Sequence, residues 1–266
     1  MKRMAAAVLA LILTLATLSF GKNIGEPKGF DNKVFHASLA MYATSVIAEI
    51  TEPKFICSVT AYKKVDKGYL VIGAGHCTSD NPELPPDMQY YAAEDIGKPV
   101  MPMQLIMAEM GTTESGIYYD YALYFLPSHY AMSKGSGDAR LTVIPLGDER
   151  ELSIGDKTVD VNFSLGVAKM VSPGIIMSQE TPSQQLPRGF FLVQQFDSHG
   201  ASGSAVVSEK THKIIGLVIA GWDGATMPSA IEAISHIDER LEKLHVVFNG
   251  KDLRVSSQET VTINVR

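Results

Sequence analysis

Cysteine and positive charge are both scarce in this sequence, and each scarcity narrows the range of possible functions. The 266 residues include two cysteines, one tryptophan and 23 lysines and arginines against 29 aspartates and glutamates, for a net charge of −6. An acidic chain without a basic stripe is a poor candidate for binding nucleic acid or an anionic membrane. With 45% hydrophobic residues, the chain can bury a sizeable core in one large or two small domains.

Long hydrophobic runs are absent after the N-terminus. The one present covers residues 4–18, follows Lys2 and Arg3, and ends at Ser19-Phe20-Gly21, with small residues where a signal peptidase reads. This order is typical of a secretory signal peptide, residues 1–21. An uncleaved anchor is the alternative, but the run is slightly short for a full span. We expect a secreted or periplasmic protein without membrane contact, whose net charge falls from −6 to −8 as two cations are removed.

The two cysteines, Cys57 and Cys77, do not have the spacing of a zinc site. Zinc ligands come in closely spaced pairs, whereas nineteen residues separate these cysteines and only His76 stands beside one of them. In an oxidising compartment such a pair is more often a disulfide than two free thiols. We therefore expect a disulfide here, with no metal and no cofactor.

Short apolar runs separated by turn signals fill most of the chain. Residues 55–65 and 69–77 flank Asp66-Lys67-Gly68, and this order predicts a β-hairpin. Similar runs continue to residue 220 and predict an all-β sandwich or barrel.

Three segments depart from this strand pattern. Residues 228–244 carry apolar side chains at helical spacing behind Pro228, which predicts a helix. Residues 22–33 are polar and suggest a loose lead-in. Residues 246–266 form a tail that ends in a strand-like piece without an assigned role.

Ser202 stands in the segment DSHGASGSAVV, residues 197–207. Taken alone, this composition favours a flexible turn before a strand, because glycine and serine are common turn residues. A nucleophilic serine also requires a histidine base, a carboxylate that orients the histidine, and amide groups aimed at the developing oxyanion.

Two other segments could supply the base and the carboxylate. His76 ends an apolar strand beside Cys77, whose cross-link to the preceding strand would hold the imidazole rigidly, as a general base requires. Asp120 enters an apolar run, where a carboxylate is costly to bury unless a group such as a histidine N–H receives its charge. A histidine in a turn and an aspartate at an exposed strand end are the alternatives.

Residues 73–77, 120–126 and 200–207 (GAGHC, DYALYFL and GASGSAVV) together resemble the three signature segments of the chymotrypsin-like serine proteases. His76, Asp120 and Ser202 follow one another at separations of 44 and 82 residues. Residues 145–166 resemble a segment of the trypsin-like bacterial proteases of the HtrA/DegP kind, and the Ser-Gly-Ser at 202–204 resembles the glutamyl-endopeptidase branch. The resemblance extends over residues 45–240.

This resemblance implies two six-stranded antiparallel β-barrels with a cleft between them, followed by a C-terminal helix. The protease domain would span residues 22–245, with the barrel boundary near residues 130–142 and a tail at 246–266. The chain is too short beyond the helix for the PDZ domain that HtrA proteases carry, so we expect none. Ala201, where many members have Asp or Asn, implies a protease that is competent without a zymogen switch.

The resemblance also implies a role for each residue of the site. His76 would be the general base, Asp120 would orient it, and Ser202 would attack the scissile carbonyl, with the backbone N–H groups of Gly200 and Ser202 as the oxyanion hole. Cys57–Cys77 would match the family's disulfide, which ties the histidine loop to the preceding strand. The specificity pocket would comprise Phe196, Asp197, His199, Ala220 and Gly221. Asp197 would favour a basic substrate residue and His199 an acidic one.

The sequence therefore predicts a secreted serine endopeptidase acting on proteins or peptides, with no nucleic-acid partner. The main alternative is a catalytically inactive protease-like binding protein, in which the loop at residues 78–88 obstructs the cleft or binds a partner. A lipase-type esterase is disfavoured, since its nucleophile elbow requires glycine where Ser204 stands.

Overall fold

A computed structural model describes residues 29–114, 116–128, 141–179, 188–220, 228–243, 246–249, 252–256 and 260–262. The predicted signal peptide, residues 1–21, lies outside the described residues. The predicted barrel boundary, residues 130–142, falls largely outside them as well.

Six antiparallel strands form the first barrel. They pair in the order β1-β2-β3-β6-β5-β4, and β1 closes the barrel on β4. The predicted hairpin is present, because β2 and β3 pair antiparallel across a turn at residues 66–67. The strands are β1 (Ser38–Ser45), β2 (Ile50–Val65), β3 (Gly68–Ala74), β4 (Gln89–Ala93), β5 (Met101–Thr112) and β6 (Tyr118–Pro127).

The second barrel repeats this arrangement with six further strands. They pair in the order β10-β11-β12-β9-β8-β7, and β7 closes on β10. Closure of each sheet on itself leaves no unpaired edge, and the two-barrel prediction is confirmed. The strands are β7 (Lys157–Asn162), β8 (Met170–Ile176), β9 (Phe190–Gln194), β10 (Ala205–Ser208), β11 (Ile214–Ala220) and β12 (Ser229–Ala233).

A shared apolar cluster joins the two barrels. Ile72 and Tyr121 of the first barrel pack in it with Val159, Val161 and Val207 of the second. Two helices, α1 (Phe30–Ala37) and α2 (Ile234–Lys243), contribute buried side chains to the same cluster. The two barrels therefore pack against each other through one shared apolar core.

Two of the predicted element boundaries are wrong. The helix predicted over 228–244 starts only at Ile234, because residues 229–233 form β12, which lies between β9 and β11 and completes the second barrel. All five residues of β12 are buried, so this strand lacks the alternation that identifies a strand in sequence. The lead-in predicted over 22–33 ends in α1, whose Val34 and Ala37 are buried against the barrels.

The predicted tail carries a small sheet of its own. Strands β13 (Val246–Asn249), β14 (Asp252–Ser256) and β15 (Thr260–Thr262) pair antiparallel in that order. In the part of the chain that the structure describes, no helix is both long and apolar enough to cross a membrane.

Candidate active site

The pairing of β3 with β6 brings His76 to Asp120. Ala74, at the end of β3, lies opposite Tyr121 of β6, and a 3₁₀ turn (Gly75–Cys77) then carries His76 back toward Asp120. Asp120 Oδ1 accepts the backbone N–H of His76 at 2.6 Å, and Oδ2 lies 2.8 Å from His76 Nδ1. Both oxygens of this carboxylate therefore serve to orient one histidine.

His76 and Asp120 differ in their exposure to solvent. Asp120 is only 2% exposed, whereas the His76 side chain is 29% exposed and open to a substrate. A Cβ on Gly75 would lie 2.6 Å from Glu109 O, so only glycine permits this close approach. The predicted Cys57–Cys77 disulfide is present and ties the residue after His76 to β2.

One group of possible metal ligands within the described residues lies at this same place, and it consists of three residues. Within the described residues, ligand atoms of Cys57, His76 and Cys77 lie within 4.8 Å of one another. Because the two sulfurs are joined to each other, the group offers one histidine nitrogen, which does not make a metal site.

Ser202 lies in the connection between β9 and β10, on a tight turn of residues 198–204 that we call the serine turn. Its backbone closes on itself, since Ala201 N donates to Ser198 O and Ser204 N donates to Ala201 O, each at 2.9 Å. Gly200 and Gly203 have left-handed φ values of 95° and 81°, which only glycine adopts easily. The small residues of the motif are thus required by backbone geometry.

Residues of the first barrel contact the backbone of the serine turn. Ser58 N donates to Ser202 O at 2.9 Å, and Ser58 Oγ donates to Gly200 O at 2.6 Å. A Cβ on Gly203 would lie 2.6 Å from Ala74 N, two residues before His76. The serine turn of the second barrel is therefore pressed against the histidine loop of the first.

The hydrogen bonds of the serine turn also orient its amides. His199 O accepts Leu165 N at 2.6 Å, and Ala201 O accepts Ser204 N. In a trans peptide the N–H points away from the carbonyl of the preceding residue, so the N–H groups of Gly200 and Ser202 point away from these partners. Neither amide donates to another described residue, and both are available to a substrate oxygen. No hydrogen bond joins Ser202 Oγ to His76.

The predicted pocket residues have different surroundings. Phe196 is 45% exposed, and its carbonyl accepts Ser172 Oγ at 3.0 Å. His199 and Ala220 are exposed, and Gly221 lies outside the described residues. Asp197 is half-buried and points into the second barrel, where Gln195 Nε2 donates to its Oδ2 at 2.7 Å.

Two buried acidic residues near the site were not predicted from the sequence. Asp160 of β7 is 0% exposed and meets Asp197; we call these two residues the acid pair. A pattern in the sequence could have indicated Asp160. Polar residues occupy alternate positions of this strand, so three polar side chains lie on one of its faces: Thr158, Asp160 and Asn162. The second missed acid, Glu232 of β12, had no such signal.

Glu232 connects the second barrel to the carboxylate that orients His76. Its Oε1 accepts the backbone N–H of Asp120 at 3.0 Å, and its Oε2 has no partner among the described residues. The side chain is fully buried. Burial raises the pKa of Glu232 well above its usual range, and the nearby negative charges of Asp120 and Glu109 act in the same direction.

We predict that Glu232→Gln makes the protein more stable at alkaline pH, because glutamine keeps the oxygen that Asp120 requires. The raised pKa of Glu232 means that its contribution to stability is complete below the unfolded pKa of about 4.3 and is lost as the pH rises. The variant lacks this loss, so its advantage grows from pH 4 to pH 9. Thermal unfolding measures it, at about 2–4 °C in Tm per kcal/mol.

Glu52→Gln is the matched control, since Glu52 lies exposed on β2 and its replacement should leave the pH dependence of Tm unchanged. A Tm difference between Glu232→Gln and the parent that does not vary with pH would contradict the prediction.

Known proteins resemble this chain in structure rather than in sequence. No family model and no curated protein matches it. Among solved structures, the HtrA-type protease AlgW with a tripeptide is similar at 17% identity and a TM-score of 0.56, over 81% of this chain and 63% of that one. A variant of AlgW with a tripeptide matches at 16% identity and a TM-score of 0.57, over 85% and 66%.

A third structure, the AlgW variant with a decapeptide, matches at 15% identity and a TM-score of 0.56. The chain spans about two thirds of the length of these structures, at 63% to 66%. Identity this low shows the fold alone, and the two closed six-stranded barrels described above are consistent with that fold. The chain therefore has the double-barrel, chymotrypsin-like fold of the HtrA-type serine proteases.

Proposed function

We propose that the protein is an exported serine endopeptidase that cleaves peptide bonds through His76, Asp120 and Ser202. The observation that carries this proposal is the meeting of two half-sites across the barrel interface. The first barrel supplies a histidine bound through Nδ1 to a buried carboxylate, and the second supplies a serine on a turn with two unused amides.

In the proposed mechanism each group of the site has its own step. His76 Nε2 takes the proton of Ser202 Oγ as the oxygen bonds to the scissile carbonyl carbon. The oxyanion that forms accepts hydrogen bonds from the N–H groups of Gly200 and Ser202. His76 then gives its proton to the leaving amine as the C–N bond breaks, which leaves an acyl-enzyme. In the second half of the reaction, His76 takes a proton from water as the water oxygen bonds to the acyl carbon. His76 then gives this proton to Ser202 Oγ as the ester bond breaks, which releases the acid and restores the free serine.

Export is supported by the N-terminal sequence and by the disulfide. Residues 1–21 have the organisation of a signal peptide, and a disulfide persists in oxidising compartments. The proposed substrates are peptides or unfolded segments of proteins, since an extended chain fits a cleft between two barrels. The similar solved structures of AlgW and its variant themselves contain short peptides.

One observation favours the second candidate, an inactive binding protein: Ser202 Oγ makes no hydrogen bond to His76 in this structure. Catalytic hydrogen bonds of serine hydrolases without substrate are often long and shorten on substrate binding, so the protease remains the better-supported function.

Fluorophosphonate labelling separates the two functions. The proposal predicts one covalent adduct on the purified protein, located by mass spectrometry in the tryptic peptide of residues 189–210, which contains Ser202. The adduct should be lost in His76→Ala, because the probe reacts only with an activated serine. Folded protein, verified by circular dichroism, that takes up no label would reject the protease in favour of the binding protein.

A further inference from the structure

Glu232 meets the backbone of Asp120 at the end of a strand ladder. The pairing of β3 with β6 ends where Ala74 stands opposite Tyr121, so the amide of Asp120 lies one residue beyond that ladder. A side chain of the second barrel supplies the acceptor, because Glu232 Oε1 accepts the Asp120 N–H at 3.0 Å. Asp120 is 2% exposed, so bulk water is no substitute for this acceptor.

Asp120 is therefore held from both barrels. Its carboxylate binds His76 twice, through the backbone N–H at 2.6 Å and through Nδ1 at 2.8 Å, and both contacts lie within the first barrel. Its amide is fixed by β12 of the second barrel, which is joined through β11 to β10, the strand that follows Ser202. The residue that anchors Asp120 thus belongs to the same barrel as the serine that His76 must reach.

Glu232 is a costly residue with which to bind a single amide. Its side chain is fully buried, and Oε2 has no hydrogen-bond partner among the described residues. A buried polar atom without a partner costs about 1–3 kcal/mol. Natural proteins depart from the rules of stable packing mainly at functional sites, and this departure directly contacts the residue that orients His76.

The same residue binds the amide without adding negative charge to the site. Burial raises the pKa of Glu232 well above its usual range, and the charges of Asp120 and Glu109 act in the same direction, so the carboxyl keeps its proton at neutral pH. A neutral acceptor does not compete with Asp120 for the positive charge that forms on His76. Glutamine, which is neutral and has the same length, should therefore serve equally well.

We infer that Glu232 is a positioning residue of the active site: by binding the Asp120 amide, it fixes the carboxylate that orients His76 relative to the serine turn. This inference rests on the proposed function, because it concerns the catalytic rate of the same site. Glu232 acts only through Asp120 and does not touch the reacting atoms.

Three substitutions of Glu232 test whether its reach or its charge matters. Glu232→Gln keeps the acceptor oxygen and should retain kcat within about 2-fold of the parent. Glu232→Asp keeps the carboxyl but is one methylene too short, and Glu232→Met keeps the length without the acceptor. We expect kcat to fall about 5-fold or more in Glu232→Asp and about 10-fold or more in Glu232→Met, with KM unchanged, because small displacements of catalytic groups are costly.

A matched control separates positioning from lost stability. Ser235→Ala removes another buried hydrogen bond near β12, from Ser235 Oγ to Glu149 Oε1 at 2.5 Å. It should lower Tm and leave kcat unchanged. Nitrogen-15 NMR of His76 provides a readout that stability alone would not change: the ring proton should stay on Nδ1 in Glu232→Gln and be distributed over both nitrogens in Glu232→Met.

Parental kcat in both Glu232→Asp and Glu232→Met, or an equal loss in Glu232→Gln, would overturn the inference and leave the proposed protease intact. If Glu232→Met does not fold, the other two variants decide: a higher kcat with glutamine supports the inference, and a kcat with aspartate that equals or exceeds it overturns the inference. A parent protein that neither takes up the fluorophosphonate nor cleaves peptides would instead refute the proposed function, and the inference with it.

Discussion

Ser202→Ala is expected to lower kcat for peptide hydrolysis by about 10⁶, the loss seen when the nucleophile of a serine protease triad is removed. The turn should survive the change. Ser202 contributes to the fold through its carbonyl, which Ser58 N binds, whereas no hydrogen bond of its hydroxyl holds the turn together. The Ser202→Ala variant should therefore be impaired only in the chemical step of hydrolysis, and its KM and Tm should be close to those of the parent.

Steady-state kinetics on a peptide that the parent cleaves measures this loss. Ser153→Ala, in an exposed loop of the second barrel, is the matched control and should retain full activity. Hydrolysis at the parental rate in Ser202→Ala would show that this serine is not the nucleophile.

Asp120→Asn is expected to lower kcat by about 10⁴ at neutral pH. Asp120 Oδ1 accepts the backbone N–H of His76 at 2.6 Å, so the asparagine oxygen must take that position. The asparagine NH₂ then faces His76 Nδ1, where it can only donate. Nδ1 becomes an acceptor, the ring proton moves to Nε2, and His76 can no longer take the proton of Ser202.

The tautomer provides a readout that a simple packing defect would not give. Nitrogen-15 NMR of His76 should show the proton on Nδ1 in the parent and on Nε2 in Asp120→Asn. Activity within tenfold of the parent, together with an unchanged tautomer, would count against Asp120 as the orienting group. Asp66→Asn serves as the matched substitution at an exposed site.

The all-β class could be predicted from sequence because the strands alternate with turns that have clear chemistry, whereas the two closed barrels were predicted through the resemblance. The Asp66-Lys67 turn between β2 and β3 and the glycines of the serine turn obey local rules, and local rules are visible in sequence. The His76–Asp120 pair was predicted through a resemblance. The structure shows its physical basis, which is the register of β3 against β6.

The features that could not be predicted from the sequence depend on contacts between residues far apart in the chain. Ile231 and Ile234 stand three residues apart, as in a helix, yet the first belongs to a strand because β9 and β11 bury it on both sides. Glu232 looks like a helix-surface residue in sequence, and only the closed barrel places it under Asp120. Asp160 becomes part of a pair only where β7 passes the segment before the serine turn.

Ser58 makes the shape of the serine turn depend on the folding of both barrels. It belongs to the first barrel, yet its amide and hydroxyl hold the carbonyls of Ser202 and Gly200, and its Oγ also accepts Phe163 N at 3.1 Å. Ser58 and Gly200 are 142 positions apart in sequence, so this contact requires closure of a long loop, which is entropically costly and slow. A chain with one barrel folded thus lacks the bonds that shape the serine turn. Under the proposed function, a partly synthesised or partly exported chain would carry no proteolytic activity.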